Sequence, residues 1–237
     1  MNSTGVLILG AGPAGLSLAL FLKDAGIDSR ILEKSGSAGG LARSIKIGGY
    51  TFDHSGHLLH TRHPEVLSLV RRRLGVRLDR IERKSVCWVD GKFVPYPYQQ
   101  NLFHLDPETV REALVGFYRR RPRPPGNFKE WIHSTSGDGI GRQFLYPYNA
   151  KLWRVNPEKM SADWVPRFIP GSDSKEILKS AFYEKKDPWG YNTIFYYPTF
   201  GGIGTIGNRL AEQVSSRTTL NAGIVSIDLR RKIVVLC

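Results

Sequence analysis

Gly10-Ala-Gly12-Pro-Ala-Gly15 stands between an apolar run, Val6 to Leu9, and a stretch with helical apolar spacing, Pro13 to Ala25. No other feature narrows the fold as far. The three glycines meet three steric needs. Gly10 permits a tight turn, Gly12 lets the backbone approach a pyrophosphate, and Gly15 lets a helix pack close to a strand. The N-terminus of that helix presents unpaired N–H groups and a partial positive charge to the anion. Gly26 supplies the helix C-cap. Asp28 to Glu33 reads as a second strand, and a right-handed crossover makes it parallel to the first. Glu33 ends this strand 18 residues past Gly15. An acid at that place takes ribose hydroxyls and favours a bare 2′-OH over a 2′-phosphate.

Beyond this βαβ unit the chain predicts a strand at Gly49 to Asp53 and a helix at Pro64 to Leu74. Two strands, Ser85 to Val89 and Lys92 to Tyr96, flank Asp90-Gly91, a hairpin signal. Asp106-Pro107-Glu108 opens a helix that runs to about Arg121, with Asp106 as N-cap. Residues 127–153 are aromatic-rich and helical in pieces, and Ser172 to Phe182 is another short helix. Thr193 to Tyr197 reads as a strand. Gly201-Gly202 turns into a helix at Thr205 to Val214, and short strands follow at 218–220, 224–228 and 233–236.

Composition excludes several classes. At 41% hydrophobic and 23% charged residues, wholesale disorder, collagen and coiled coil are ruled out. Two cysteines, Cys87 and Cys237, make neither a disulfide framework nor a zinc cluster. With no apolar span of membrane length and no basic leader, the expected compartment is the cytoplasm. A net charge of +13 could serve nucleic acid, an anionic membrane or a polyanionic ligand. The basic residues fall in short clusters at helix ends and turns, so a solvated surface is favoured over a nucleic-acid footprint.

Gly39-Gly40-Leu41-Ala42-Arg43 follows the second strand. A glycine pair there lets backbone lie against a flat or phosphorylated ligand, and Arg43 adds a cation; the alternative is an ordinary turn. Together with the first motif it resembles the FAD-binding start of the amine oxidase and protoporphyrinogen oxidase superfamily. The resemblance implies FAD bound by Gly10, Gly12, Gly15, Glu33, Gly39, Gly40, Leu41 and Arg43, with Gly201 and Gly202 in a glycine-rich turn near the flavin.

Phe52-Asp53-His54-Ser55-Gly56-His57 resembles the Phe-Asp-x-Gly-Gly-His stretch of the UDP-galactopyranose mutases. Ser55 replaces the first glycine, and His57 matches the histidine at the flavin. Its alternative is a structural, hydrogen-bonded histidine. Tyr96-Pro97-Tyr98-Gln99 is similar to the mutases' uridine-contacting Tyr-Pro-Phe-Gln. Pro147-Tyr148-Asn149-Ala150-Lys151-Leu152-Trp153 resembles their Pro-Tyr-Asn-x-Lys-x-Trp, whose asparagine and tryptophan hold the uracil. Spacing of four puts Asn149 and Trp153 on one helix face. An indole face stacks on a base and an amide reads its edge; the alternative is a plain core helix. Arg167 resembles a mobile-loop arginine on the diphosphate, against a solvated arginine. Asn192 resembles a second diphosphate contact.

The resemblance implies an α/β fold: a Rossmann-like FAD-binding domain, residues 1–60 and 193–237, with an inserted, mainly helical substrate domain, 61–192. It implies that the first domain lacks a C-terminal segment, so that the chain is a truncated member or joins a partner or second copy. It also implies an isomerase that interconverts UDP-galactopyranose and UDP-galactofuranose on reduced flavin. Tyr96, Tyr98, Gln99, Asn149, Trp153 and Asn192 would bind the UDP-sugar, and His57 and Arg167 would be catalytic. The alternatives are an FAD oxidase of the amine or protoporphyrinogen type and a non-catalytic basic protein with a flavin fold.

Overall fold

The computed structural model describes residues 4–165, 173–184 and 194–237. Val6–Leu9 (β1) runs into helix Pro13–Asp24 (α1), which returns through Ser29–Leu32 (β2). β1 and β2 pair in parallel from Val6↔Ser29 to Leu9↔Leu32. Strand Thr218–Thr219 adds in parallel to β2, so the sheet order is β1, β2, 218–219. α1 buries Leu16, Ala19 and Leu20, the i, i+3, i+4 spacing of one helical face. It ends where the sequence puts its cap: Gly26 takes a φ of +71°, and the Ile27 N–H reaches back to the Leu22 carbonyl at 2.9 Å. That six-residue closure is the bond of a glycine-capped helix end.

The chain divides into two compact units, residues 1–81 with 194–237, and residues 82–193. The first boundary therefore falls at 82, not at 61. The reason is apolar packing. The helix from Pro64 continues as a wider turn over Leu69–Arg73. Its Val70 and Leu74, with Val76 and Leu78, share one buried cluster with Ile8, Leu16, Ile31 and Leu210. Strand Leu78–Glu82 also pairs with Ile194–Pro198. The same unit holds hairpin Ser44–Ile47/Tyr50–Asp53, helix Gly204–Gln213 and hairpin Ile224–Asp228/Ile233–Leu236.

The second unit is built mainly of helices. Its hairpin, Val86–Val89 with Lys92–Pro95, turns through Asp90 and Gly91, both with positive φ, as a two-residue turn requires. Asp106 stands at the N-cap of helix Pro107–Tyr118, but its carboxylate makes no cap bond; it takes Lys92 Nζ at 2.6 Å. Helix Phe128–Ile140 crosses helix Pro107–Tyr118 with backbone against backbone. A Cβ on Gly116 would lie 2.3 Å from the Gly139 nitrogen, and one on Gly137 would lie 2.2 Å from the Gly116 carbonyl. Around this crossing pack Val94, Tyr98, Leu102, Phe117, Phe128, Ile132, Ile140 and Ile177.

Candidate functional site

The first constellation lies in the unit of residues 1–81 and 194–237. Gly10 has a φ of +99°, backbone that side chains rarely adopt. A Cβ on Gly15 would come 2.2 Å from the Gly10 carbonyl oxygen, whereas Cβ atoms on Gly10 or Gly12 would meet nothing within 4 Å. Gly15 thus serves packing, and Gly10 and Gly12 leave room above the turn. No side chain caps α1 at Gly12, so its first-turn N–H groups are left for an anion.

Glu33 is buried at the end of β2, 8% exposed. Its two carboxylate oxygens accept the Ala11 N–H at 2.7 Å and the Ser35 N–H at 2.8 Å. Burial alone would raise its pKa, but the N–H groups of Ser35 and Ala11, with Arg43 nearby, outweigh it and pull the carboxyl below the usual range. Glu33 stays ionised and keeps lone pairs beyond those two bonds. An open glycine turn, an uncapped helix start and an ionised acid at the strand end fit the adenosine diphosphate half of FAD.

The other glycine pairs close on this turn. The Gly39 N–H donates to the Ala11 carbonyl at 2.7 Å, and a Cβ on Gly40 would sit 3.2 Å from the Gly12 Cα. Arg43 stays within its own loop, donating to the Gly40 carbonyl at 2.9 Å and the Ser37 hydroxyl at 2.7 Å. Leu41 is 72% exposed. A Cβ on Gly207 would touch the Gly39 Cα at 3.2 Å, and one on Gly202 would strike Ser44 Oγ and Asp53 Oδ1 at 2.5 and 2.6 Å. Gly201 and Gly202 both have positive φ.

Sequence reasoning passed over the residue that ties this turn down. Asp53 accepts the Ser44 hydroxyl at 2.6 Å, the Ile203 N–H at 3.2 Å and the Tyr197 hydroxyl. Ser44 Oγ in turn accepts the Gly204 N–H at 2.8 Å. Burial and the bond to Asp53 push the Tyr197 phenol up to about 12. The signal was an acid closing the strand Tyr50–Asp53, whose other residues carry no charge. His57 is half-buried, and its Nδ1 lies 2.6 Å from Ser55 Oγ. The serine that replaces the expected glycine therefore orients the imidazole.

The second constellation lies wholly in the unit of residues 82–193. A cavity of about 730 Å³ is lined by Arg83, Cys87, Tyr96, Phe144, Tyr148 and Lys151, among others. Of the expected substrate residues that are described, only Tyr96 lines it. Tyr98 is fully buried; its hydroxyl donates to Gln143 Oε1 at 3.1 Å. Its ring stacks on Phe144 at 4.8 Å, and Phe144 stacks on Tyr148 at 4.9 Å. Tyr98 is thus the base of an aromatic ladder whose outer rung, Tyr148, is 44% exposed. Gln99 is buried, and so is Asn149, whose amide donates to the Leu145 carbonyl of its own helix at 2.8 Å. Trp153 is 47% exposed and meets Trp164 edge-on at 5.4 Å. Asn149 and Trp153 thus differ sharply in exposure, because a left-handed Arg154 ends the helix immediately after Trp153. Phe144 and Tyr148 were legible only as an i, i+4 aromatic pair. Arg167 and Asn192 lie outside the described residues.

Burial pushes the Cys87 thiol up to about 11, so it is neutral at physiological pH. Among the described residues no helix is long and apolar enough to cross a membrane.

Residues 13–237 match the family described as Flavin containing amine oxidoreductase. Hydroxyneurosporene desaturase of Rhodobacter capsulatus is 26% identical over 213 residues, spanning 85% of this chain and 40% of the desaturase. The 1-hydroxycarotenoid 3,4-desaturase of Flavobacterium sp. is 35% identical over 89 residues, 36% of this chain and 18% of that protein. Among solved structures, reduced UDP-galactopyranose mutase superposes with a TM-score of 0.91 at 30% identity, covering 99% of this chain and 52% of the mutase. Putrescine oxidase shares the fold at a TM-score of 0.55 and 20% identity, covering 93% of this chain and 51% of the oxidase. The chain spans about half the length of these structures and less of the desaturases.

Proposed function

The chain belongs to the flavin containing amine oxidoreductases and uses FAD, and from that premise we propose that it serves a UDP-galactopyranose mutase type of isomerisation. The observation that carries this reading is the aromatic and cationic cavity of about 730 Å³, within a fold that follows the mutase at a TM-score of 0.91. Its volume lies within the range of small-molecule sites, roughly 300–1,000 Å³.

FAD, when bound, supplies a ring that is electron-rich once reduced. The protein's own residues bind and orient. Tyr96 and Tyr148 offer ring faces to a uracil, and Arg83 and Lys151 neutralise a diphosphate. The neutral Cys87 thiol leaves Asp90 as the acid among the described lining residues of that wall. Tyr98, buried beneath Phe144, is a positioning residue for Tyr148. Gln99 and Asn149, both buried, back the wall, and Trp153 offers an indole face. Arg167 and Asn192 take the diphosphate. On the FAD side, Gly10, Gly12, Gly15 and Glu33 hold the adenosine diphosphate, and Gly39, Gly40, Leu41, Arg43, Gly201 and Gly202 flank the cofactor. His57 holds the flavin. In this reading 61–81 belong with the cofactor unit.

A second reading, an FAD-dependent oxidoreductase acting on an apolar polyene, is favoured by the desaturase that aligns over 85% of the chain. Such a substrate gives Arg83 and Lys151 nothing to neutralise. The deciding experiment incubates the FAD-loaded protein with UDP-galactofuranose, with and without dithionite, and follows the sugar nucleotides by chromatography and UDP binding by calorimetry. The mutase reading expects UDP binding, and conversion only with dithionite. Flavin bleaching by a polyene or an amine, with no UDP binding, would refute it.

A further inference from the structure

The run Arg119-Arg120-Arg121 has no part in that function. Arg119 follows helix Pro107–Tyr118, and Arg142 follows helix Phe128–Ile140. Together with His133 they line a cavity of about 250 Å³ at the crossing of these helices. It shares no lining residue with the aromatic cavity. Gly116, Gly137 and Gly139 bring the two helices backbone against backbone beside this cavity.

The cavity wall carries both signs, with Arg111, Arg119, Arg120 and Arg142 against Glu112 and Asp138, and cations in excess. Arg111 is taken by Glu108, which does not line it. Arg120 donates to the Phe117 carbonyl at 2.7 Å and lies 3.6 Å above the Phe117 ring. Of the two acids in the wall, Asp138 accepts His133 Nδ1 at 2.9 Å and the Tyr146 hydroxyl at 3.2 Å. Glu112 accepts the Gln143 amide at 3.4 Å. Among the described residues, neither the Arg119 nor the Arg142 guanidinium makes a hydrogen bond or ion pair.

We propose that this cavity binds the phosphate group of a small soluble phosphomonoester between Arg119 and Arg142. Guanidinium forks meet tetrahedral oxyanions with paired, charge-assisted bonds. A phosphomonoester carries roughly −1.5 to −2 charge at neutral pH, and Arg119 and Arg142 meet it with guanidinium forks that no described carboxylate binds directly, although Asp138 lies in the field of Arg142. The space suits a phosphate rather than a whole nucleotide. An adjoining cavity of about 480 Å³, which shares His133 and Asp138 and is lined by Asn127, Lys129 and Tyr146, takes the organic part.

The test titrates the 237-residue protein with phenyl phosphate by calorimetry at constant ionic strength. FAD and UDP-galactose, neither of which carries a terminal phosphate, are present in excess, so that other phosphate sites are filled. Saturable sub-millimolar binding is expected, weakened about tenfold or more by Arg119→Gln and by Arg142→Gln and unchanged by Arg83→Gln. Arg142→Lys keeps the charge but not the fork, and falls in between. Unchanged affinity in both glutamine variants overturns the proposal, as does an equal loss with Arg83→Gln. So does capture by phosphatidic-acid vesicles with no binding of phenyl phosphate. Melting curves of each variant confirm the fold, and the outcome is independent of whether UDP-sugar is turned over.

Discussion

Alanine at Gly15 and alanine at Gly12 differ by three residues and are expected to have opposite effects. At Gly15 the added Cβ would lie 2.2 Å from the Gly10 carbonyl oxygen and 3.2 Å from Ile8 Cγ2. The first is backbone of the tight turn and cannot rotate away, so α1 must lift from β1. Overpacking of a tight contact costs about 1–3 kcal/mol, occasionally more, and a rigid backbone partner puts Gly15→Ala at the upper end. For a chain of this size each kcal/mol lowers Tm by about 2–4 °C, so a fall of roughly 6–12 °C is expected. At Gly12, φ is −73° and the Cβ meets nothing within 4 Å, so stability changes by no more than about 0.5 kcal/mol. That Cβ instead occupies the approach of the pyrophosphate, and FAD affinity falls at least about tenfold, the effect of losing some 1.4 kcal/mol. Thermal melts without added FAD, and quenching of FAD fluorescence on titration, separate the two. Equal melting losses in both variants, or full FAD affinity in Gly12→Ala, would refute the assignment of one glycine to packing and the other to the ligand.

Tyr148→Ala should leave Tm nearly unchanged and weaken UDP binding up to about tenfold, whereas Phe144→Ala, in the core, should cost about 3–5 kcal/mol of stability; calorimetry and urea melts measure the two. The Tyr197 phenol is raised to about 12, so the stability it contributes is complete below its ordinary pKa near 10 and is lost as pH climbs through 12. Urea midpoints of Tyr197→Phe should therefore fall less steeply than wild type above pH 10. One of the two thiols, exposed Cys237, should react quickly with Ellman's reagent at neutral pH, while Cys87, buried and raised to about 11, reacts only after unfolding.

The βαβ unit was legible because each of its parts is local. The glycines act within six residues, and Glu33 bonds back to Ala11, the very turn that the motif defines. The boundary at 82 was not legible. It depends on Val70, Leu74 and Val76 meeting Ile8 and Leu210, and on strand Leu78–Glu82 finding Ile194–Pro198, pairings that no short window contains. The substrate residues were legible as types rather than as roles. Pattern matching singled out Tyr98 and Asn149, but burial makes one the base of a stack and turns the other's amide onto its own helix. Asp53 was present in the motif as a letter, and its partners lie up to 150 residues away.

The split of the first unit also dictates an order of events during synthesis. Thr218–Thr219 pairs with Ser29–Leu32, and Arg217 binds Ser29 across 188 positions. A ribosome that adds about 5–20 residues per second must therefore deliver the whole of residues 82–193 before Ser29–Leu32 meets Thr218–Thr219. The helical unit, which is continuous in sequence, can condense before that strand arrives. Until residues 194–219 emerge, the nascent βαβ segment presents an unpaired β2 edge and lacks Leu210 and Val214 from its core, which is where a holdase would be needed most.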